Sequence, residues 1–410
     1  MMAGRVRAAE EAPKIDSGDT AWILVSSALV LLMTPGLAFF YSGMVHRKNV
    51  LGSIMQCFSL MGLITVQWAV IGYTLSFGDD IGSFIGNFKY LLLRGVGAEP
   101  GPFAATIPHN LFMVFQMMFA IITPALIFGA VAERMKFSAM LAFSLLWATL
   151  VYNPICHWVW GGGWLGKLHA MDFAGGTVVH ISSGFSALVC ALVLGARRGD
   201  RKLEPHNLTL TVLGAGLLWF GWFGFNGGSS LAANGAGASA FVNTHIAAAT
   251  AALVWMLMEW RLRGKPSMLG VASGCVAGLV AITPAAGFVT PGGSLIIGAL
   301  AGLVCLYGVT VKNKFGFDDT LDVFGIHGLG GTLGALLTGV FCVEVAVKDG
   351  GMGKQVLVQT ISVVATIAYA MVVTWILLKI VDGMMGLRVS PEEEEQGLDT
   401  TQHGESGYNL

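Results

Sequence analysis

Eleven long apolar runs, set apart by short polar breaks, constrain this chain more than any other feature. A helix needs about 20 apolar residues to cross the ~30 Å hydrocarbon core of a bilayer. Reading the runs between charged and Gly- or Pro-rich breaks predicts spans near 22–44, 50–77, 107–131, 138–155, 176–196, 207–227, 236–260, 268–288, 292–311, 322–346 and 355–384. The apolar residues are continuous rather than alternating, which favours helices over barrel strands. The fold class expected is therefore an all-α integral membrane protein with about eleven transmembrane helices. Composition closes off other classes. Only 11% of the 410 residues are charged and 55% are hydrophobic, against roughly 25% charged in a soluble domain. Lys and Arg number 23 against 24 Asp and Glu, so no basic stripe suits nucleic acid. The 56 glycines, about twice the usual share, let helices approach closely in lipid.

Three regions follow. Residues 1–20 form a polar N-terminal segment without the apolar core of a signal peptide. Residues 21–384 hold the spans, and residues 385–410 form a tail too short for an enzymatic domain. One set of alternate loops carries Arg47, Lys48, Arg134, Lys136, Arg197, Arg198, Arg201, Lys202, Arg261, Arg263, Lys265, Lys312 and Lys314. The other carries Lys89, Arg94, Lys167, Lys348 and Lys354. The positive-inside rule makes the first set cytoplasmic, with the N-terminus outside and the tail inside. Arg5, Arg7 and Lys14 oppose this, but Glu10, Glu11 and Asp16 lie among them. The stretch from Asn153 to Thr177, rich in Gly and Trp, is expected to form an ordered external cap. Cys57, Cys156, Cys190, Cys275, Cys305 and Cys342 show no CxxC spacing and read as small buried residues.

Two segments repeat. Asp172-Phe-Ala-Gly-Gly-Thr-Val-Val-His180 enters the fifth span from one side, and Asp319-Thr-Leu-Asp-Val-Phe-Gly-Ile-His327 enters the tenth from the other. In both, Asp precedes His by eight residues, and Gly184 and Gly331 each lie four residues beyond the histidine. Spans five apart insert in opposite sense, as in inverted repeats that hold a substrate site at the midplane. Eight residues rise about 12 Å, close to half of a ~30 Å core. Both histidines are thus expected near the bilayer centre, facing each other across a pore.

Ionisable residues inside spans are functional candidates by default, and His donates, accepts and passes protons near neutral pH. Asp172 and Asp319 also suit plain helix capping. Phe115 and Phe119 share one helical face, and Trp219, Trp222 and Phe225 cluster in one run. Belts and packing account for most such rings, but a cation path would use a few of them. No HExxH, GxSxG or P-loop pattern occurs, so no enzyme activity, cofactor or metal is expected.

The chain resembles the ammonium transporters of the Amt type, within the Amt/Mep/Rh group, over roughly residues 20–408. The segments from Asp172 to His180, Gly221 to Ser229, Asp322 to Gly328, Gly129 to Arg134 and Trp160 to Trp164 carry the likeness, as does the tail from Gly386 to Glu405. The resemblance implies a five-plus-five inverted repeat and one long final helix, assembled as a homotrimer in the cell membrane with one pore per subunit. It implies an external ammonium site of Phe119, Trp160 and Ser229, with methylammonium as an analogue. It implies a gate of Phe119 and Phe225, paired pore histidines at His180 and His327, and Asp172 supporting recruitment and deprotonation. It implies a PII-class (GlnK-like) partner on the cytoplasmic face, near the loops 197–202 and 261–265. Two competing readings remain: an ammonium sensor signalling through its tail, and a passive ammonia gas channel.

Overall fold

The computed structural model describes residues 14–198, 205–343 and 350–408. Arg5, Arg7, Glu10, Glu11, Arg201, Lys202 and Lys348, used above for orientation, lie outside the described residues. Ten helices are long and apolar enough to cross a membrane. They are α1 (Ser17–Met44), α2 (Arg47–Phe77), α3 (His109–Val131), α4 (Phe137–Lys167), α5 (Gly176–Leu194), α6 (Leu208–Ser230), α7 (Gly235–Arg263), α9 (Pro291–Phe315), α10 (Phe324–Phe341) and α11 (Gly351–Met385). Between α7 and α9 lies a shorter apolar helix, α8 (Met268–Ile282). This is a multi-pass membrane protein.

The differences from the predicted spans have local causes. The eighth span, expected to reach residue 288, stops as a helix at Ile282. Thr283 is still right-handed helical, at φ −50° and ψ −48°, but Pro284 has no N–H to continue the ladder. The fourth, expected to end near 155, runs on through Asn153–Val159 and is broken at residues 160–163 before its last turn, Trp164–Lys167, so the anticipated cap begins about two turns later than Asn153, at Trp160. Of two small antiparallel hairpins, β1–β2 (Asp80–Ile81 with Ile85–Gly86) packs on the end of α2 and β3–β4 (Pro100–Gly101 with Ala104–Pro108) packs on the starts of α1 and α3.

Successive connections alternate between two faces. At the tryptophan-rich face, Asp16 N–H donates to Thr106 O, Ala233 N–H to Asp19 Oδ1, and Phe173 N–H to Pro284 O. At the basic face, Arg134 Nη2 donates to Asp318 O at 2.7 Å and Lys136 N–H to Leu387 O at 2.9 Å. The start of α1 and the end of α11 therefore lie on opposite faces, as eleven crossings require. After α11, two short helices, α12 (Pro391–Gln396) and α13 (Leu398–His403), lie back against the basic face, where Leu398 N–H donates to Asn49 Oδ1.

Close backbone contacts join the two halves. Helix α1 packs along α6, and a Cβ at Gly214 would stand 2.2 Å from Phe40 N. Helix α5 crosses the start of α10, where a Cβ at Gly184 would stand 2.2 Å from Gly328 N. A methyl group at either point would push the helices apart, which is the use of small residues where lipid gives no hydrophobic drive.

Candidate functional site

Asp172 starts the site. Its buried carboxylate accepts N–H bonds from Gly175, Gly176, Thr177 and Val178 at 2.6–3.0 Å. Four donors that would otherwise lack partners are thus satisfied by one residue. The chain then enters α5 in a wide turn over Gly176–Ile181, with His180 N–H bonded back five residues to Gly175 O. Asp319 does the same for α10 with two donors, Val323 and Phe324, ahead of a second wide turn over Phe324–Gly328. Such insertions aim side chains off the regular helical track and recur at functional sites.

They bring the two histidines into contact. His180 Nδ1 and His327 Nδ1 lie 3.2 Å apart, both rings buried. The spacing argument sets them across a pore; the structure bonds them directly. One nitrogen must donate and the other accept, so at least one ring is neutral. His180 also stacks near-parallel on Trp222 and on Phe225, at 5.5 and 6.1 Å between centroids, and its Nε2 has no hydrogen-bond partner among the described residues. These rings border a narrow cavity walled by Met33, Leu37, Ile122, Leu218 and Val276.

On the tryptophan-rich side the cavity is closed by Phe119 and Phe225, with centroids 4.3 Å apart and each ring 1% exposed. Above them opens a pocket lined by Phe77, Phe112, Gln116, Phe119, Trp160 and Ser229. Trp160 meets Phe119 edge-on at 6.0 Å, and its Nε1–H donates to Asp172 O at 2.9 Å. Ser229 Oγ donates to Phe225 O at 2.8 Å, which leaves its lone pairs able to accept. On the other side, Phe40 borders both the cavity and a wider vestibule holding Lys312, Asp318, Asp322 and Ile326. Phe119, Trp160, Ser229, Phe225, His180 and His327 thus line the pocket and the cavity beneath it, whereas Asp172 lines neither and meets the pocket through Trp160.

Residues 21–408 match the model of the Ammonium Transporter Family.

The chain belongs to the ammonium transporter family.

It is 52% identical over 398 residues to an ammonium transporter of Bacillus subtilis, covering 95% of this chain and 98% of that protein. To one of Aquifex aeolicus it is 53% identical over 408 residues, covering 97% and 95%. Among solved structures, Mep2 of Saccharomyces cerevisiae superposes with a TM-score of 0.87 at 38% identity, covering 92% of this chain and 90% of that one. A structure titled "Sensor Amt Protein" superposes at 0.88 with 27% identity, covering 94% and 98%.

In this ammonium transporter family member, a buried ionic cluster on the basic face goes beyond what the sequence suggests. Glu133 accepts from His46 N and Nδ1, Asn49 Nδ2 and Arg197 Nη1 at 2.7–3.0 Å. Burial alone would raise the Glu133 carboxyl; the His46 hydrogen bond and the His46 and Arg197 charges outweigh it and hold it at about 2. Arg197 also pairs with Asp318 at 2.8 Å, beside the vestibule on the basic face. Arg134 and Arg197 count in the sequence only as loop charges; both are turned inward. Among the described residues no group of three or more His, Cys, Asp or Glu side chains gathers as a metal site.

Proposed function

We propose that this transporter family member takes up ammonium by binding it as a cation, removing its proton, and passing ammonia through the apolar cavity. The observation that carries this reading is the order of environments from the pocket to the cavity. An aromatic pocket with a hydroxyl acceptor leads to a closed ring pair, and then to two buried histidines sharing one hydrogen bond. Ring faces attract ammonium-type cations by ~0.5–2 kcal/mol, far less than the cost of taking a bare ion into low dielectric. Ammonium can shed a proton and continue as a neutral molecule, whereas potassium cannot. Selectivity then follows without a size filter.

In this reading Phe119, Trp160 and Ser229 bind ammonium, Phe119 and Phe225 gate it, and Asp172 supports recruitment and deprotonation. His180 and His327 guide ammonia and relay the proton, so that charge accompanies uptake. The tryptophan-rich face is external and the basic face cytoplasmic, in the cell membrane. Residues 385–410 then form a cytoplasmic tail, and the external segment comprises residues 1–20. The relatives' names as transporters support a protein that is not an enzyme. By family likeness the assembly is a homotrimer, and a PII-class (GlnK-like) protein docks on the basic face. Arg198 and Arg261–Lys265 suit that contact better than Arg197, whose guanidinium is tied to Glu133 and Asp318.

The test is uptake of methylammonium and ammonium-driven charge movement in proteoliposomes, with His180→Ala and His327→Ala combined. The reading expects potassium exclusion or ammonium-driven current to change. If both survive unaltered, the role given to the pair is wrong. A second reading, a sensor with little flux, is favoured by the likeness to the sensor Amt structure. Substantial ammonium flux by the purified protein excludes it.

A further inference from the structure

One buried amide, on α11, has no part in the ammonium path. Helix α11 is largely apolar, yet its first third carries Gln355 and Gln359, which are 4% and 1% exposed. Gln359 uses all of its hydrogen-bonding capacity. Its Oε1 accepts Met171 N–H at 2.7 Å, and its Nε2 donates to Met171 O at 2.8 Å and to Ala335 O at 2.9 Å. Gln355 Nε2 adds a bond to the same Oε1 at 3.3 Å and another to His169 O at 3.0 Å. The Gln359 amide therefore grips both polar groups of one residue's backbone, as a neighbouring strand would, and ties that residue to a third helix.

The gripped residue matters because of its neighbour in the chain. Met171 directly precedes Asp172, whose carbonyl receives the Trp160 indole N–H and whose carboxylate sets the turn carrying His180. Ala335 lies eight residues beyond His327 on α10. One amide thus fixes the entry to α5 against the helix that supplies the other histidine. Residues 168–175 contain one glycine and no regular element, so their position depends on such ties.

We propose that Gln359 is a positioning residue for the outer ammonium site: it acts through Met171 to hold Asp172 and Trp160 at the distance from Phe119 that binding needs. The inference rests on the reading of Trp160 as part of that site. An amide is required because the partner presents a donor and an acceptor side by side; leucine offers neither, and asparagine, one methylene shorter, cannot reach both.

The test is methylammonium uptake into proteoliposomes, scaled to folded protein, for the wild type, Gln359→Leu, Gln359→Asn, Trp160→Leu and the Gln359→Leu/Trp160→Leu pair. Losing two buried hydrogen bonds to the Met171 backbone is expected to raise KM about threefold, no more than Trp160→Leu does, while the maximal rate stays within about twofold. In the double variant KM is expected to equal that of Trp160→Leu alone, because coupled residues are not additive. A purely structural role predicts less folded protein with KM unchanged in both Gln359 variants, and that result overturns the inference. Full additivity with Trp160→Leu overturns it as well. If Trp160→Leu raises KM and neither Gln359 variant does, only this inference falls. If Trp160→Leu leaves KM untouched, the outer-site reading and the inference fall together.

Discussion

Asp172 and Asp319 stand at the same place in the two halves of the molecule, eight residues before a buried histidine and at the mouth of a wide turn. Their surroundings differ. Asp172 holds four backbone N–H groups and lies beneath Trp160 and the aromatic pocket. Asp319 holds two, its own carbonyl accepts from Lys312 Nζ, and Lys312 in turn pairs with Asp322 at 2.6 Å. The repeated aspartate builds the same helix start twice. What distinguishes the ends is the lining: ring faces and a hydroxyl on one side, a lysine and carboxylates on the other. The difference between the two ends thus lies in the flanking residues rather than in the repeat.

The largest expected effect breaks that symmetry outright. Asp172→Ala strips the acceptor from four donors, each charge-assisted bond being of the stronger kind. Ammonium-driven flux is expected to fall at least ~100-fold, with a stability loss of about 2 kcal/mol or more. Asp319→Ala removes two bonds and is expected to cost less than ~10-fold in flux. Equal losses in a paired flux assay would mean that capping alone explains Asp172.

Trp160→Leu and Ser229→Ala sharpen the contrast in lining. Each removes one weak contribution to cation binding, so KM for methylammonium is expected to rise about three- to tenfold. The maximal rate should change less. A fall in rate at constant KM would move these residues out of the binding step.

The smallest effect concerns the basic face. The Glu133 hydrogen bond raises the His46 imidazole above its ordinary value, against the opposing effect of partial burial. Stability from this contact is fully present below about pH 6.5 and is lost as pH rises through the raised value. His46 is 36% exposed, so screening keeps the effect small. Asn49 links Glu133 to Leu398 of the tail. Amide exchange in the tail, corrected for intrinsic rate, should therefore quicken by no more than about twofold between pH 6 and 8.5. His46→Gln should abolish that difference; a change that survives it assigns the pH response elsewhere.

Sequence legibility tracked locality. Helix count and alternation came from hydropathy alone, because a bilayer permits few other structures. The Asp-to-His spacing marked both histidine helices, since each device is built within about ten residues of one stretch of sequence. Their direct contact was not readable: it depends on wide turns that rotate each ring by an amount no spacing rule supplies. Phe40 gave no signal, being one apolar residue within an apolar span. Gln359 gave little more, because its partners, Met171 and Ala335, are 188 and 24 residues away. The Glu133–Arg197–Asp318 cluster was missed for a related reason. Loop charges are counted for orientation, and a count does not say which of them turn inward to pair.

The central claim is that ammonium enters as a cation and crosses the cavity only by giving up its proton, which travels separately. The most direct measurement is charge movement in proteoliposomes after an ammonium concentration jump, with potassium as the control ion. The account predicts a current with ammonium, none with potassium, and loss of that discrimination when His180 and His327 are both replaced by alanine. Ammonia flux into the lumen with no accompanying current would contradict it and mark a passive gas channel; absence of both would leave the sensor reading standing.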